Sequence, residues 1–347
     1  MQIKILKPGL MSTIQDMGRY QYLSQAVPVS GAMDTLSARI ANKAVGNGDN
    51  AAVIEFTYAD AEFIAETGLL IAYVGDGAIF QSGEQVLPPE RPLFIPSGTN
   101  IKLTNNPSGS RTYLAIAGGW DLPGILGSKS TCLTAGFGGL EGRTLKRGDT
   151  LKNDDKLTTN AQQIVQNFKQ KLQKNDTNDT LFYPAWNIPR QLLLPAGRKT
   201  IRVVPGNEFG WFNGRSIAVF LSAPYIIGRQ SNRMGYHLEG AVLERAKKDE
   251  LLSTAVTPGT IQVTGSGGMV LLMADCQTTG GYPRIAQVAA VDMPLCAQLK
   301  PGDSIFFKEI SRREAEMLYI EREQQLHQLT IAVQCKFYKQ YHAKHRP

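Results

Sequence analysis

The stretch TYLAIAGGWDLPGILGSKST, residues 112–131, joins a short apolar run to a polar loop that begins with a pair of glycines. A second stretch, MVLLMADCQTTGGYPRIAQV at residues 269–288, has a similar order: an apolar run, then a polar loop with a glycine pair. Short apolar runs bounded by glycine and other turn-forming residues are typical of β-strands. The two stretches therefore indicate equivalent strands and loops in two β-domains.

The end of the first stretch is similar to a phosphate-binding loop but lacks the glycines of one. Such a loop has Gly, four further residues and then Gly-Lys-Ser/Thr, because only residues without side chains let backbone N–H groups surround a phosphate. Pro123 and Ser128 stand at the two glycine positions, and a proline also removes one N–H donor. We therefore expect no ATP site at Lys129 and interpret the loop as structural.

Further pairs of segments match between the two halves of the chain in the same order. They are 3–9 with 201–206, 96–104 with 257–264, and 145–151 with 299–305. With the pair already quoted, four ordered matches indicate a duplication. The sequence thus predicts a mainly β protein made of two duplicated barrels with few helices. The expected parts are a first domain at 1–151, a partly helical linker at 152–200, a second domain at 201–310, and a C-terminal helix with a basic tail at 311–347.

Local signals mark the predicted helices and turns. Asp34 precedes an amphipathic run that ends near Gly46, so it is expected to cap a helix. Ser311 and Glu314 form a capping box at the start of the C-terminal helix. Asp149 and Asp303 occupy matching Gly-Asp pairs and are predicted to be turn residues.

Composition excludes several classes of site. The chain has 347 residues, 42% apolar content, a net charge of +7 and only four histidines. Three of these lie in the C-terminal region, so a Ser-His-Asp, Cys-His or histidine zinc site would have to use His237 and is disfavoured. Four cysteines without CxxC spacing favour reduced thiols and a cytoplasmic location, with no metal site. No apolar run reaches membrane-spanning length. Four of the positive charges (Lys336, Lys339, Lys344 and Arg346) lie in the tail, so nucleic-acid binding is not expected.

Three segments carry more polar side chains than a loop requires. The first, at 12–34, contains Gln15, Asp16, Arg19, Ser30 and Asp34. The second, at 228–240, contains Arg229, Arg233, Tyr236, His237 and Glu239. The third, at 274–288, contains Asp275, Gln277, Thr278, Thr279, Gly280, Gly281, Tyr282 and Arg284.

These segments resemble a known family through long ordered strings. The strings are QDMGR, VPVSGAMD, AGGWDLPGILGSKST, GFGGLEGRTLKRGD, SNRMGYHLEG, GTIQV and TTGGYP. They are similar to the biotin-dependent carboxyltransferase family, which includes the C subunit of 5-oxoprolinase and allophanate hydrolase subunit 2. The resemblance covers nearly all of residues 15–307 and implies two cyclophilin-like β-barrels. It also implies a partner, the B subunit, which is similar to allophanate hydrolase subunit 1, and for the oxoprolinase a further partner, the A subunit.

The resemblance leaves the activity open between three interpretations. In an oxoprolinase, ATP activates 5-oxo-L-proline and the ring is opened to L-glutamate; ATP would then serve the complex without binding tightly to this chain. In a carboxyltransferase, carboxybiotin carboxylates urea or a similar amide, but this sequence has no Ala-Met-Lys-Met biotin attachment motif. A third branch of the family binds a kinase inhibitor that is similar to the B subunit. We expect the oxoprolinase, with this chain inactive alone.

Both enzymatic interpretations place negative charge on an amide-type oxygen, which calls for cationic or N–H donors. The predicted catalytic residues are Arg233, Arg284, Tyr282 and Asp275. The predicted substrate-binding residues are Arg19, Ser30, Tyr236, Gln277, Thr278, Thr279, Gly280 and Gly281. Structural alternatives remain: Asp16 and Arg19 as an ion pair, and His237 as a hydrogen-bonded barrel residue.

Overall fold

The computed structural model of the protein describes residues 1–175, 181–194, 197–247 and 249–342, without the side chains of 174, 175 and 338–342. The chain forms two compact units. The first comprises residues 1–18, 34–193 and the chain from 324 onward; the second comprises 19–33 and 194–323. The domains expected from the sequence are continuous segments of the chain. Each of these two units instead combines segments that are separate in the sequence.

The first unit contains two β-sheets around one apolar core. Its strands are β1 (Gln2–Pro8), β2 (Met11–Gln15), β3 (Val53–Thr57), β4 (Ala61–Ala65), β5 (Leu69–Gly75), β6 (Ala78–Ser82), β7 (Gln85–Val86), β8 (Leu93–Ile95), β9 (Asn100–Asn105), β10 (Arg111–Ile116) and β11 (Thr150–Lys152). The strand orders are β11-β1-β4-β9-β6-β7 and β2-β3-β10-β5-β8. The rings of Tyr73 and Phe80, one from each sheet, stack with centroids 4.0 Å apart in the shared core.

Helices α1 (Thr35–Ala44), α2 (Thr159–Asn175) and α3 (Arg190–Leu193) belong to the same unit. The predicted cap of α1 is confirmed, because Asp34 accepts hydrogen bonds from the backbone N–H of Ser37 at 2.9 Å and from its hydroxyl at 2.6 Å. Gly46 follows the helix with a φ of 79°, a conformation that favours glycine.

The second unit is a closed barrel. Its strands are β12 (Thr200–Pro205), β13 (Tyr225–Ile227), β14 (Gly235–Glu239), β15 (Thr254–Ala255), β16 (Thr260–Val263), β17 (Met269–Leu272), β18 (Thr279–Gly280), β19 (Arg284–Val288) and β20 (Ser304–Glu309). The ring runs β12-β19-β16-β17-β14-β13-β20, while β15 and β18 pair separately. Helices α4 (Gly214–Ser222) and α5 (Met293–Gln298) also belong to this unit. The mainly β fold class predicted from the sequence is confirmed.

The predicted C-terminal helix, α6 (Arg312–His342), is also confirmed. Ser311 accepts a hydrogen bond from the backbone N–H of Glu314 at 3.1 Å, as the capping box predicts. In the second unit, the start of α6 packs Leu318 against an apolar cluster that contains Val291 and Ile310. In the first unit, Lys43 donates a hydrogen bond to Thr330 at 2.9 Å. Lys344 and Arg346 of the predicted tail lie outside the described residues, as does the side chain of Lys339.

The matched segments form strands and turns as predicted, but their strands pair differently, either in direction or in partner. In both matched turns the aspartate accepts from the backbone N–H three residues earlier, at 2.7 Å for Asp149 and 2.8 Å for Asp303. However, β1 pairs antiparallel with β11, whereas its matched strand β12 pairs parallel with β20. Strands β16 and β17 are neighbours, whereas β9 and β10 lie in different sheets. The duplication therefore holds for local conformation and not for strand pairing.

No helix among the described residues is long and apolar enough to span a membrane. The four cysteines are free thiols; Cys132, Cys276 and Cys296 are buried, and Cys335 is exposed.

Candidate functional site

A buried ion pair in the second unit joins two of the three polar segments. Arg233 donates to both carboxylate oxygens of Asp275, with Nε–Oδ2 and Nη2–Oδ1 distances of 2.7 and 3.1 Å. The side chains of Arg233 and Asp275 are 4% and 3% exposed, respectively. The backbone N–H of Asp275 also donates to the carbonyl of Arg233 at 2.9 Å, so the two loops are held together. This two-pronged geometry lets each charge compensate the other away from water.

Arg233 also contacts the first polar segment, residues 12–34. Its Nη2 donates to the carbonyl oxygen of Gly31 at 2.7 Å. Next to it, Ser30 has a φ of 55°, a left-handed conformation that is strained for a residue with a side chain. The Ser30 hydroxyl is buried and has no hydrogen-bond partner among the described residues. A strained backbone beside an unsatisfied buried hydroxyl is typical of a functional site.

Arg284 is also paired with a carboxylate. Its Nε and Nη2 each lie 2.7 Å from one carboxylate oxygen of Glu208, and its backbone N–H donates to Glu208 at 3.0 Å. Hydrogen bonding to Arg284 holds the pKa of Glu208 below its usual value, and the pKa of Arg284 is raised by the same contact. The Nη1 of Arg284 donates to the carbonyl of Ala255 at 3.1 Å. Arg284 is therefore oriented by two fixed acceptors.

The loop from Gln277 to Tyr282 has one exposed side. Gln277, Thr279, Gly281 and Tyr282 are exposed, and the ring of Tyr282 is 51% accessible. On the other side, the carbonyl of Thr278 accepts from the backbone N–H of Val256 at 3.0 Å. Thr279 and Gly280 form β18, which pairs with β15. The loop is therefore fixed at its base and accessible at its tip.

Other predicted residues lie elsewhere. Tyr236 is 2% exposed and belongs to the apolar core of the barrel, so its ring does not share the exposed side of the loop. Arg19 is buried in the second unit, where its backbone N–H donates to the carbonyl of Val29 at 2.9 Å. His237 and Glu239 are exposed and line an open groove of about 620 Å³ on the barrel, together with Arg229.

The phosphate-loop-like segment of the first unit is filled by a side chain of the protein. The buried carboxylate of Asp16 accepts from the hydroxyls of Ser128 and Ser130 at 2.6 and 2.5 Å and from the backbone N–H of Lys129 at 2.6 Å. The ammonium of Lys129 donates to the carbonyl of Trp120 at 2.9 Å. The donors that a phosphate would need are therefore used by an internal carboxylate.

A buried polar network in the first unit was not predicted from the sequence. The hydroxyl of Tyr113 donates to Glu55 at 2.8 Å and accepts from the backbone N–H of Asp34 at 2.7 Å. Burial raises the pKa of Tyr113 well above its usual value, so this hydroxyl keeps its proton. Arg190 forms ion pairs with Asp76 and Glu90. Arg111 forms an ion pair with Glu55, with an Nε–Oε1 distance of 3.8 Å. The available signal was one charged residue inside each apolar strand, Glu55 in AAVIEFTYA and Arg111 in SRTYLAIA.

Comparison with known proteins agrees with this architecture. Residues 25–309 match the carboxyltransferase domain family, subdomain A and B. The chain belongs to this family. It is 36% identical to the C subunit of Escherichia coli 5-oxoprolinase, over 90% of this chain and 93% of that protein. It is 31% identical to the C subunit of Haemophilus influenzae 5-oxoprolinase, over 94% of this chain and 97% of that protein.

Among solved structures, the urea amidolyase of Kluyveromyces lactis is similar, with a TM-score of 0.81 and 27% identity. The similarity covers 94% of this chain but only 20% of the amidolyase chain. The resemblance to this carboxyltransferase family inferred from the motifs is confirmed. The family match includes Ser30, Arg233, Asp275 and Arg284, whereas Asp16 and α6 lie outside it.

Proposed function

We propose that this chain is the C subunit of an ATP-dependent 5-oxoprolinase complex, which converts 5-oxo-L-proline to L-glutamate. The observation that carries the proposal is the match to two 5-oxoprolinase C subunits along nearly their whole length. The urea amidolyase is matched over only a fifth of its chain. The chain would act in the cytoplasm together with a B subunit and an A subunit, as a component of an enzyme that hydrolyses a cyclic amide and inactive alone.

The geometry suggests a division of roles within the second unit. The substrate would bind against the accessible tip formed by Gln277, Thr279 and Tyr282. Arg284, oriented by Glu208 and the Ala255 carbonyl, would donate to the lactam oxygen as negative charge develops on it. The pair of Arg233 and Asp275 would act by holding the Ser30–Gly31 segment in place, because the Arg233 side chain is only 4% exposed and its Nη2 donates to the Gly31 carbonyl, whereas the Arg284 side chain is 16% exposed.

ATP would be used by the complex and not held tightly by this chain. In the first unit, the carboxylate of Asp16 already takes the hydroxyl and N–H donors of the loop around Lys129. A nucleotide phosphate placed there would meet a like charge, which disfavours binding. Calorimetry with ATP and the isolated chain is expected to give no binding isotherm.

A carboxyltransferase acting on urea or a similar amide is the second candidate, because the K. lactis urea amidolyase has the same fold over 94% of this chain. The complex of all three subunits separates the two candidates directly. With 5-oxoproline and ATP we expect release of glutamate; with urea, bicarbonate and ATP in the presence of a biotin carboxylase and its biotinylated carrier we expect no carboxylated product. The reverse pattern would contradict the oxoprolinase proposal. A role in binding a kinase inhibitor similar to the B subunit would show as tight complex formation with no turnover of either substrate.

Arg284 offers the sharpest test of the proposed site. Arg284→Ala is expected to lower turnover by about 10²-fold, the scale for losing a donor to a developing oxyanion. Arg284→Lys should restore only part of it, because lysine keeps the charge but not the planar two-pronged geometry. Glu208→Gln removes the carboxylate that orients Arg284 and leaves the guanidinium in place, so it should lower turnover by less than Arg284→Ala. Unchanged turnover of Arg284→Ala in a complex that still assembles would mean that Arg284 only supports the fold.

A further inference from the structure

The side chain of Gln262, on β16, lies on the buried side of the loop from Gln277 to Tyr282 and contacts both of these residues. Its side chain is 2% exposed. Its amide nitrogen donates to the carbonyl of Tyr282 at 3.2 Å, and its amide oxygen accepts from the side chain of Gln277 at 3.4 Å. One buried side chain therefore contacts the loop near both of its ends.

The strands beneath the loop are shaped for this contact. The pairing of β16 with β19 shifts register after Ile261, so that Gln262 lies opposite Arg284 and Ile285 is bulged out. Bulges of this kind change the direction in which a side chain points and are frequent beside active sites. Here the bulge places Gln262 and Arg284 opposite each other at the end of the loop.

Gly280 leaves the space that the amide of Gln262 occupies. A Cβ at position 280 would lie 2.5 Å from the Gln262 nitrogen, well inside van der Waals contact. The backbone of Gly280 does not have the positive φ that would itself favour glycine. The absence of a side chain at 280 is thus explained by space for Gln262 and not by backbone conformation.

We propose that Gln262 is a positioning residue that holds the 277–282 loop in the conformation that binds substrate. Gly280 leaves the space that the Gln262 amide needs for this contact. The proposal rests on the proposed function, in which this loop contacts the substrate. Gln262 contacts the loop through its two amide ends and is too buried to reach a ligand on the exposed side. Its effect on turnover therefore passes through the loop.

Two substitutions should break the same contact from opposite sides. Gln262→Leu removes the side-chain amide nitrogen and oxygen at similar volume, and Gly280→Ala displaces the amide without straining the backbone. Because they act on one interaction, the double variant should do no more than either single change. Gln287→Leu is the matched control, since Gln287 lies on β19 and bonds instead with Pro258 and Thr260, at 2.9 and 2.8 Å.

Hydrogen exchange of the full isolated chain tests the contact without using activity. We expect the amides of 277–282 to exchange about tenfold faster or more in Gln262→Leu and Gly280→Ala, the double variant to match the singles, and Gln287→Leu to match the wild type at these amides. Gln262→Glu should behave like Gln262→Leu, because a carboxylate cannot donate to the Tyr282 carbonyl. Unchanged exchange, or effects that simply add, would overturn the proposal.

Kinetics of the assembled complex then test the link to substrate. Both single variants should lower kcat/KM for 5-oxoproline by about tenfold or more, chiefly through KM, because a displaced loop positions substrate less well. Gln287→Leu should leave both constants unchanged. Altered exchange with unchanged kcat/KM would overturn the role of Gln262 in substrate positioning. A wild-type complex without glutamate release would instead defeat the proposed function, and hydrogen exchange alone would then decide whether Gln262 holds the loop.

Discussion

The burial of each cysteine determines how fast its thiol should react with a disulfide reagent. Thiolates, not thiols, attack disulfide reagents, and burial raises the pKa of Cys276 to about 12 and also raises that of Cys296. Cys132 is buried as well, whereas Cys335 is exposed on α6. Titration with a chromogenic disulfide should therefore detect one fast thiol in the native protein and all four after denaturation. More than one fast thiol would show that a buried cysteine is more accessible than its position implies.

Asp16 has a similar local importance, since its carboxylate accepts from three donors of the 128–130 loop and from the backbone N–H of Gly18 at 2.8 Å. Asp16→Ala would leave these buried donors without an acceptor. We expect the free energy of unfolding to fall by about 3 kcal/mol or more, because hydrogen bonds to a charged group contribute more than neutral ones. Urea denaturation measures this loss; a change below about 1 kcal/mol would mean that water replaces the carboxylate.

The ion pair of Glu208 and Arg284 should make stability depend on pH. Because the pKa of Glu208 is lowered in the folded state, its contribution is complete above the ordinary glutamate pKa of 4.5 and is lost as the pH falls below it. The stability difference between wild type and Glu208→Gln should accordingly be larger at about pH 7 than at about pH 3. Urea denaturation at both pH values checks this. A constant difference would show that the charge of Glu208 does not stabilise the fold.

Among the helices, two N-terminal caps, the Asp34 carboxylate and the Ser311 hydroxyl, differ in burial. Asp34 is fully buried at the start of α1, and Ser311 caps α6 at the surface. Asp34→Ala is expected to cost about 2 kcal/mol or more and Ser311→Ala less than about 1 kcal/mol, because water can replace the exposed cap. Thermal or urea unfolding of the two variants measures the difference. Equal losses would contradict the importance given to burial.

Elements also show how far the sequence could predict the fold. The strands and the turns at Asp149 and Asp303 were predicted because short apolar runs and Gly-Asp pairs act locally. The pairing was not, since the choice of partner depends on residues far away along the chain. The turn at Asp149 packs on β1, where the backbone N–H of Gly148 donates to the carbonyl of Ile5 at 2.8 Å. The turn at Asp303 packs on β13, where the backbone N–H of Gly302 donates to the carbonyl of Ile227 at 2.8 Å.

For the molecule as a whole, the candidate site was predictable in its residues but not in their contacts. The motifs identified Ser30, Arg233 and Asp275, and the structure brings their segments together. That Arg284 is paired with Glu208 could not be read from the sequence, because the two are 76 residues apart. The polar network around Glu55 was not predicted, because a single charged residue in an apolar strand does not reveal which residues it contacts.

The central claim is that this chain is a required component of an oxoprolinase. Glutamate release from 5-oxoproline, measured with ATP and the A and B subunits in the presence and absence of this chain, tests it most directly. We predict turnover with all three components, none above background when this chain is omitted, and loss of turnover by about 10²-fold when it carries Arg284→Ala. Glutamate release by the two other components alone at the full rate would contradict the claim.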